Sequence, residues 1–81
     1  MGIRFTKVAA KAINTMDRKT RQRIKDAIDA IPTGDIKPLR GYRGLYRLRV
    51  GGWRIIFSCP KKETVLIERV SPRGGAYKGG F

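Results

Sequence analysis

Apolar and basic positions alternate with period two through residues 45–57: Tyr46, Leu48 and Val50 are interleaved with Arg47 and Arg49, and Trp53, Ile55 and Phe57 flank Arg54. A strand places successive side chains on opposite faces, so each run predicts a strand with one apolar side. Gly51 and Gly52 lie between the runs and tolerate the positive φ of a two-residue hairpin turn. Such a turn pairs Val50 with Trp53, Arg49 with Arg54, Leu48 with Ile55, Arg47 with Ile56 and Tyr46 with Phe57. Tyr46, Leu48, Val50, Trp53, Ile55 and Phe57 then share one face, and Arg47, Arg49 and Arg54 share the other.

The rhythm upstream is helical. After Ile3-Arg4-Phe5, a short run that predicts an edge strand, Thr6 stands as an N-cap. Val8, Ala9, Ala12, Ile13 and Met16 then recur at helical spacing, with Lys7 and Lys11 on the polar side. Asn14, Thr15 and Asp17 interrupt that stripe with turn and capping groups; Ile24, Ala27, Ile28 and Ile31 resume it and predict a second helix over residues 18–31. So short a connection makes the helices antiparallel neighbours with one apolar seam turned to the sheet.

Residues 32–44 contain Pro32, Gly34, Pro38, Gly41 and Gly44 and predict an ordered loop, with Leu39 tucked into the core. Downstream, residues 58–63 predict a turn, residues 64–70 a third strand, Ser71-Pro72 its stop and residues 73–81 a glycine-rich tail. If Ser58 pairs near Thr64, Glu68 falls beside Arg54; a slip of one residue puts Arg69 there instead. The fold class is α+β: a single domain over residues 1–81 in which a small antiparallel β-sheet of three to four strands packs against an N-terminal helical hairpin.

Charge gives the second face of the hairpin a purpose. The chain has 19 Lys and Arg against 6 Asp and Glu, a formal net charge of +13. Residues 36–62 hold Lys37, Arg40, Arg43, Arg47, Arg49, Arg54, Lys61 and Lys62 and no acidic residue. Such a field draws a polyanion: nucleic acid, an acidic protein or an anionic membrane surface, which charge alone does not separate. Like charges directly opposite on neighbouring strands cost a few tenths to ~1 kcal/mol, so Arg49 against Arg54 opposes folding and points to a ligand; the alternative is that both guanidinium groups splay into water, as surface arginines usually do. In the connector, Arg40, Tyr42 and Arg43 interleave an aromatic ring with basic groups, a set able to hold phosphate and stack on a base, although a single tyrosine more often packs.

The longest stretch without a charged residue, 55–60, is six residues long, far short of the ~18 of a membrane span. The first residues lack the apolar core of a secretory signal, so no membrane partner is expected and the cytoplasm is the expected compartment. With one cysteine and no histidine there is no internal disulfide, no metal-binding set and no Cys–His pair. No metal or cofactor is expected, and Cys59 reads as structural.

Four segments in this order, Leu39-Arg40-Gly41, Tyr46-Arg47-Leu48-Arg49, Trp53-Arg54-Ile55-Ile56-Phe57 and the ending from Arg73 to Tyr77-Lys78, resemble the RelE/ParE superfamily of bacterial toxins, most closely its RelE-like messenger-RNA-cleaving branch. The resemblance spans nearly the whole chain. It implies the toxin of a type II toxin–antitoxin pair, a ribosome-dependent endoribonuclease that cuts messenger RNA in the A site and is silenced by a cognate antitoxin. Carried over residue by residue, it implies site roles for Arg47, Arg49, Arg54, Arg73 and Tyr77: Arg54, Arg73, Tyr77 and Arg49 as catalytic residues and Arg47 on RNA phosphate, to which the chain's own basic residues Arg40, Arg43 and Lys78 add candidate phosphate contacts. Well-studied relatives carry lysines where this chain has Arg47 and Arg49.

The implied chemistry is attack of a ribose 2′-hydroxyl on the adjacent phosphorus. It needs no metal if cations stabilise the phosphorane and positioned donors orient the nucleophile. Arginine binds phosphate oxygens with its planar fork, but a pKa above ~12 makes it a poor general base. Proton transfer therefore falls to Tyr77, Lys78 or a carboxylate such as Glu68. Arg54 and Arg73 would stabilise the transition state, Arg47 and Arg49 hold flanking phosphates, and Tyr77 stack on or orient the cut nucleotide. Two other readings use the same face: a ParE-like inhibitor of DNA gyrase, and a non-catalytic RNA-binding module.

Overall fold

A computed structural model of the chain describes residues 2–72. The chain opens with a short strand, β1 (Gly2–Phe5), and enters the helical hairpin at Thr6. The Thr6 hydroxyl accepts the Ala9 N–H at 3.1 Å and so caps helix α1 (Lys7–Asn14). Asp17 caps α2 (Arg18–Asp29): the Thr20 hydroxyl donates to one carboxylate oxygen at 2.6 Å and the Thr20 N–H to the other at 3.3 Å. The second helix ends two residues before the expected Ile31, which is nonetheless buried in the core. Among the described residues, no helix is long and apolar enough to cross a membrane.

The Asp17 cap carries a pH dependence. The Thr20 hydroxyl and N–H hold the exposed Asp17 carboxyl below its ordinary value. A carboxyl lowered in the folded state stabilises it above the unfolded-state value, and that contribution is lost as pH falls through the folded one. Asp17→Asn keeps a capping oxygen and removes the charge. Wild type is expected to melt higher than this variant at neutral pH, with the gap closing below pH ~4, the ordinary carboxylate range. Melting both proteins across that range checks it; a gap that persists in acid would mean the charge is not its source.

The remaining strands are β2 (Asp35–Pro38), β3 (Leu45–Val50), β4 (Trp53–Lys61) and β5 (Thr64–Pro72), and the sheet order is β1-β5-β4-β3-β2. The hairpin register is the expected one, with Arg49 opposite Arg54 and Arg47 opposite Ile56. At its tip Gly51 has φ +56°, a left-handed conformation that favours glycine, while a Cβ there would meet only the movable end of the Arg23 side chain of α2.

Three features differ from expectation. The sheet has five strands, and β1 pairs in parallel with β5. The connector is not all loop: residues 35–38 form β2, where Pro38 is tolerated because an edge strand need not donate its N–H. Ile36, rather than Leu39, packs from this segment onto the core. The third difference lies in β4 and β5, which run past their expected ends to Lys61 and Pro72, with irregular pairing between Ser58 and Lys61 where Pro60 lacks a donor. Cys59, in that irregular stretch, is exposed.

Both helices cover one face of the sheet. Ala9, Ile13, Met16, Ile24, Ile28 and Ile31 meet Leu48, Val50, Ile55, Phe57, Val65, Ile67 and Val70 in one cluster, flanked by the half-buried Ile3, Tyr46 and Trp53. Tyr46 and Phe57 stack across the hairpin with ring centroids 5.5 Å apart. Val8, although in register with the α1 stripe, is 53% exposed.

Candidate functional site

The other face of the sheet carries the arginines. Its rows follow from the pairing: Asp35, Arg49, Arg54 and Ser71 lie side by side across β2, β3, β4 and β5, and the next row is Lys37, Arg47, Ile56 and Arg69. Arg4 of β1 stands on the same side, paired with Leu66. Among the described residues of this face the acidic groups are Asp35 and Glu68. The surface is therefore strongly cationic, and neither helix packs on it.

Ile56 is the apolar floor of this surface. It has no exposed area, yet it lies outside the cluster beneath the helices. Its cross-strand neighbours are Arg47 and Arg69, whose Cβ atoms such pairing sets ~5 Å from its own. Arginine stems cover apolar surface while their heads stay in water. Arg47, Arg54 and Arg69 are half-buried and Arg49 is exposed, as expected of charges that rise from a dry floor.

The expected site residues divide into three groups. Arg47, Arg49 and Arg54 come together, with Arg49 and Arg54 directly opposite each other near the hairpin turn. Arg40 and Arg43 lie in the exposed loop between β2 and β3, at the far end of β3 and on the order of 15 Å from the Arg49–Arg54 pair at ~3.4 Å per strand residue. Arg73, Tyr77 and Lys78 lie outside the described residues. The last described residue, Pro72, pairs with Trp53 beside the Arg49–Arg54 row.

The register of β5 matches neither expectation. Arg54 faces Ser71, while Ser58 pairs with Leu66 and donates from its Oγ to Glu68 Oε2 at 2.9 Å. Pairing of Ser58 with Leu66 instead of Thr64 moves the register by two residues, and a bulge adds a third: pairing steps from Phe57–Ile67 to Ile56–Arg69, so Glu68 has no opposite residue. The Ser71 Oγ, opposite Arg54, is buried and has no hydrogen-bond partner among the described residues.

Sequence reasoning missed Lys37 and Arg4 as members of this face, and placed Arg69 on it only as the alternative to Glu68. The first two depend on strands of four residues, too short for a reliable alternation signal. Arg69 did leave a trace: the apolar positions Val65, Ile67 and Val70 step by two and then by three, the mark of an inserted residue.

Comparison with known proteins bears on what binds this face. Residues 3–77 match the family described as ParE toxin of type II toxin-antitoxin system, parDE. Toxin RelE3 of Methanocaldococcus jannaschii is 31% identical over 85 residues, covering 95% of this chain and 96% of that protein. Among solved structures, the RelB-RelE antitoxin-toxin complex from Methanococcus jannaschii superposes with a TM-score of 0.71 at 29% identity, over 85% of this chain and 88% of that one. The archaeal RelE-RelB complex from Pyrococcus horikoshii OT3 gives a TM-score of 0.71 at 27% identity, over 93% and 97%.

Proposed function

The chain belongs to the ParE toxin family of type II toxin–antitoxin systems, and from that premise we propose that it is a RelE-like endoribonuclease that cuts messenger RNA in the ribosomal A site. The observation that carries this reading is the like-charged pair Arg49–Arg54, set directly opposite across β3 and β4 on the face that the helices leave uncovered. A fold under selection for stability alone would separate those charges. A phosphate between them turns a cost into a binding site, because two planar forks match its oxygens.

In the reaction the ribose 2′-oxygen forms a bond to the adjacent phosphorus as the bond from phosphorus to the 5′-oxygen breaks. The 2′-hydroxyl loses a proton and the departing 5′-oxygen gains one, leaving a 2′,3′-cyclic phosphate and a 5′-hydroxyl. Arg54 stabilises the charge that builds on the phosphorane, joined by Arg73 on the strength of the sequence resemblance. Arg47 and Arg49 hold flanking phosphates, Arg40 and Arg43 contact the strand further out, and Lys78 is a further phosphate-binding residue. Tyr77 orients the cut nucleotide. Without a histidine in the chain, most of the acceleration comes from electrostatics and from alignment of the messenger by the ribosome. The toxin's activity is held in check by a cognate antitoxin, as the complexes of RelE with RelB suggest.

The test is to add the purified protein to ribosomes stalled on a defined messenger and to map new 3′ ends by primer extension. Cuts within the A-site codon that vanish with Arg73→Ala are expected. Intact messenger would sink the nuclease reading. The family match itself favours one competitor, a ParE-like toxin that inhibits DNA gyrase by binding. A supercoiling reaction run alongside identifies it: blocked supercoiling with intact messenger moves the chain to that branch.

A further inference from the structure

Val65, Ile67 and Val70 are buried positions of β5 in the core cluster. Strict alternation after Ile67 would turn Arg69 into the core and push Val70 out. The bulge at Glu68 prevents this: the extra residue leaves both Glu68 and Arg69 on the cationic face and returns Val70 to the core. Two hydrogen bonds hold it in place. The Thr6 hydroxyl, at the start of α1, donates to the Glu68 carbonyl at 2.8 Å, and Ser58 Oγ donates to the Glu68 carboxylate at 2.9 Å. The bulged residue thus has both its backbone oxygen and its side chain anchored.

We propose that this bulge makes Arg69 a further RNA-binding residue of the site, holding a backbone phosphate next to the one held by Arg47. The proposal rests on the RNA-cleaving reading above. Arg47 and Arg69 flank Ile56 from either side, so their Cα atoms are two strand spacings apart, ~10 Å. Both residues flank the same dry floor on the same face of the sheet. Successive phosphates of a single strand laid across β3, β4 and β5 would meet Arg47 and Arg69 in turn, with the Arg49–Arg54 pair in the adjoining row. A guanidinium above an apolar floor has fewer competing waters, which strengthens its contact with phosphate.

A fluorescent single-stranded RNA oligonucleotide with 2′-O-methyl riboses, which cannot be cut, provides the probe. Its affinity is measured by anisotropy across a series of salt concentrations for wild type, Arg69→Ala, Arg69→Lys and Lys7→Ala. Lys7 is exposed at the start of α1, so its variant loses the same charge from the helical layer. Arg69→Ala is expected to bind about tenfold more weakly at low salt, with the slope of log affinity against log salt reduced by about 0.7, the value of one phosphate contact to single strands. Arg69→Lys keeps the slope, and Lys7→Ala stays close to wild type.

An unchanged slope in Arg69→Ala would overturn the proposal. So would an equal loss in Lys7→Ala, because net charge and not position would then govern binding. Melting curves identify a third contrary result: weaker binding of the Ala and Lys variants alike, with lowered midpoints, would make Arg69 a support of the sheet. Binding that depends on Arg69, from a protein that leaves ribosome-bound messenger intact, would sink the nuclease reading and leave this contact standing.

Discussion

Arg54→Ala is expected to lower the single-turnover rate of messenger cleavage on the ribosome by roughly 10²–10³-fold, the usual loss when one positioned donor to a developing anion is removed. Arg54 is the arginine of the hairpin placed in line with both Arg49 and Ser71, beside the point where β5 ends at Pro72. On the proposed reaction its fork would serve the transition state more than the ground state, since charge on the non-bridging oxygens peaks in the phosphorane. Saturating ribosomes should therefore not rescue the variant. Arg54→Lys keeps the charge without the planar fork and should fall between wild type and Ala. The thermal midpoint should stay within a few degrees of wild type, because the substitution also relieves repulsion with Arg49. Cleavage at the wild-type rate would remove Arg54 from the transition state.

Ile55→Ala should instead remove stability. Ile55 is fully buried at the centre of the helix-covered face, with Leu48 and Val70 as its cross-strand neighbours. Truncating a buried isoleucine typically costs about 2–5 kcal/mol, from lost transfer energy and an unfilled cavity. Small domains have only ~5–15 kcal/mol in total, and each kcal/mol moves the midpoint of a domain this size by roughly 4–8 °C. A drop on the order of 10–30 °C is expected in a melting curve. Ile56→Ala, equally buried one position along, should cost less, because the arginine stems beside it relax more readily than packed helices. Equal losses from the two variants would mean that the outer face is as tightly packed as the core.

The comparison of these two neighbours shows how much of the site was legible in the chain. Alternation assigned Ile55 and Ile56 to opposite faces and gathered Arg47, Arg49 and Arg54 on one side without any knowledge of the rest of the molecule. It worked because the turn at Gly51 and Gly52 is local: two residues of loop leave one pairing, and period two does the rest. The helices were legible for a similar reason, since the caps at Thr6 and Asp17 and the apolar stripes behind them lie within a few residues of one another. The resemblance in the four short segments then named a family that the comparisons bear out.

Other parts of the architecture depended on contacts between residues far apart in the chain. The pairing of β1 with β5 joins Ile3 to Val65, and nothing in a four-residue strand announces its partner. The connector strand β2 exists because Ile36 finds the core while Pro38 finds an edge. The register of β5 could not be chosen from its own residues either, since a slip of one residue is compatible with the turn that precedes it. By itself the sequence determined the helical hairpin, the β3–β4 register and the cationic face of Arg47, Arg49 and Arg54, each set by groups only a few residues apart. The tertiary structure alone decided the parallel edge, the fifth strand and the bulge that turns Arg69 outward. There the burial of Val70 and the hydrogen bonds from Thr6 and Ser58 to Glu68 select one register, and those contacts exist only once β4 and β5 have paired and the helical layer has docked on them.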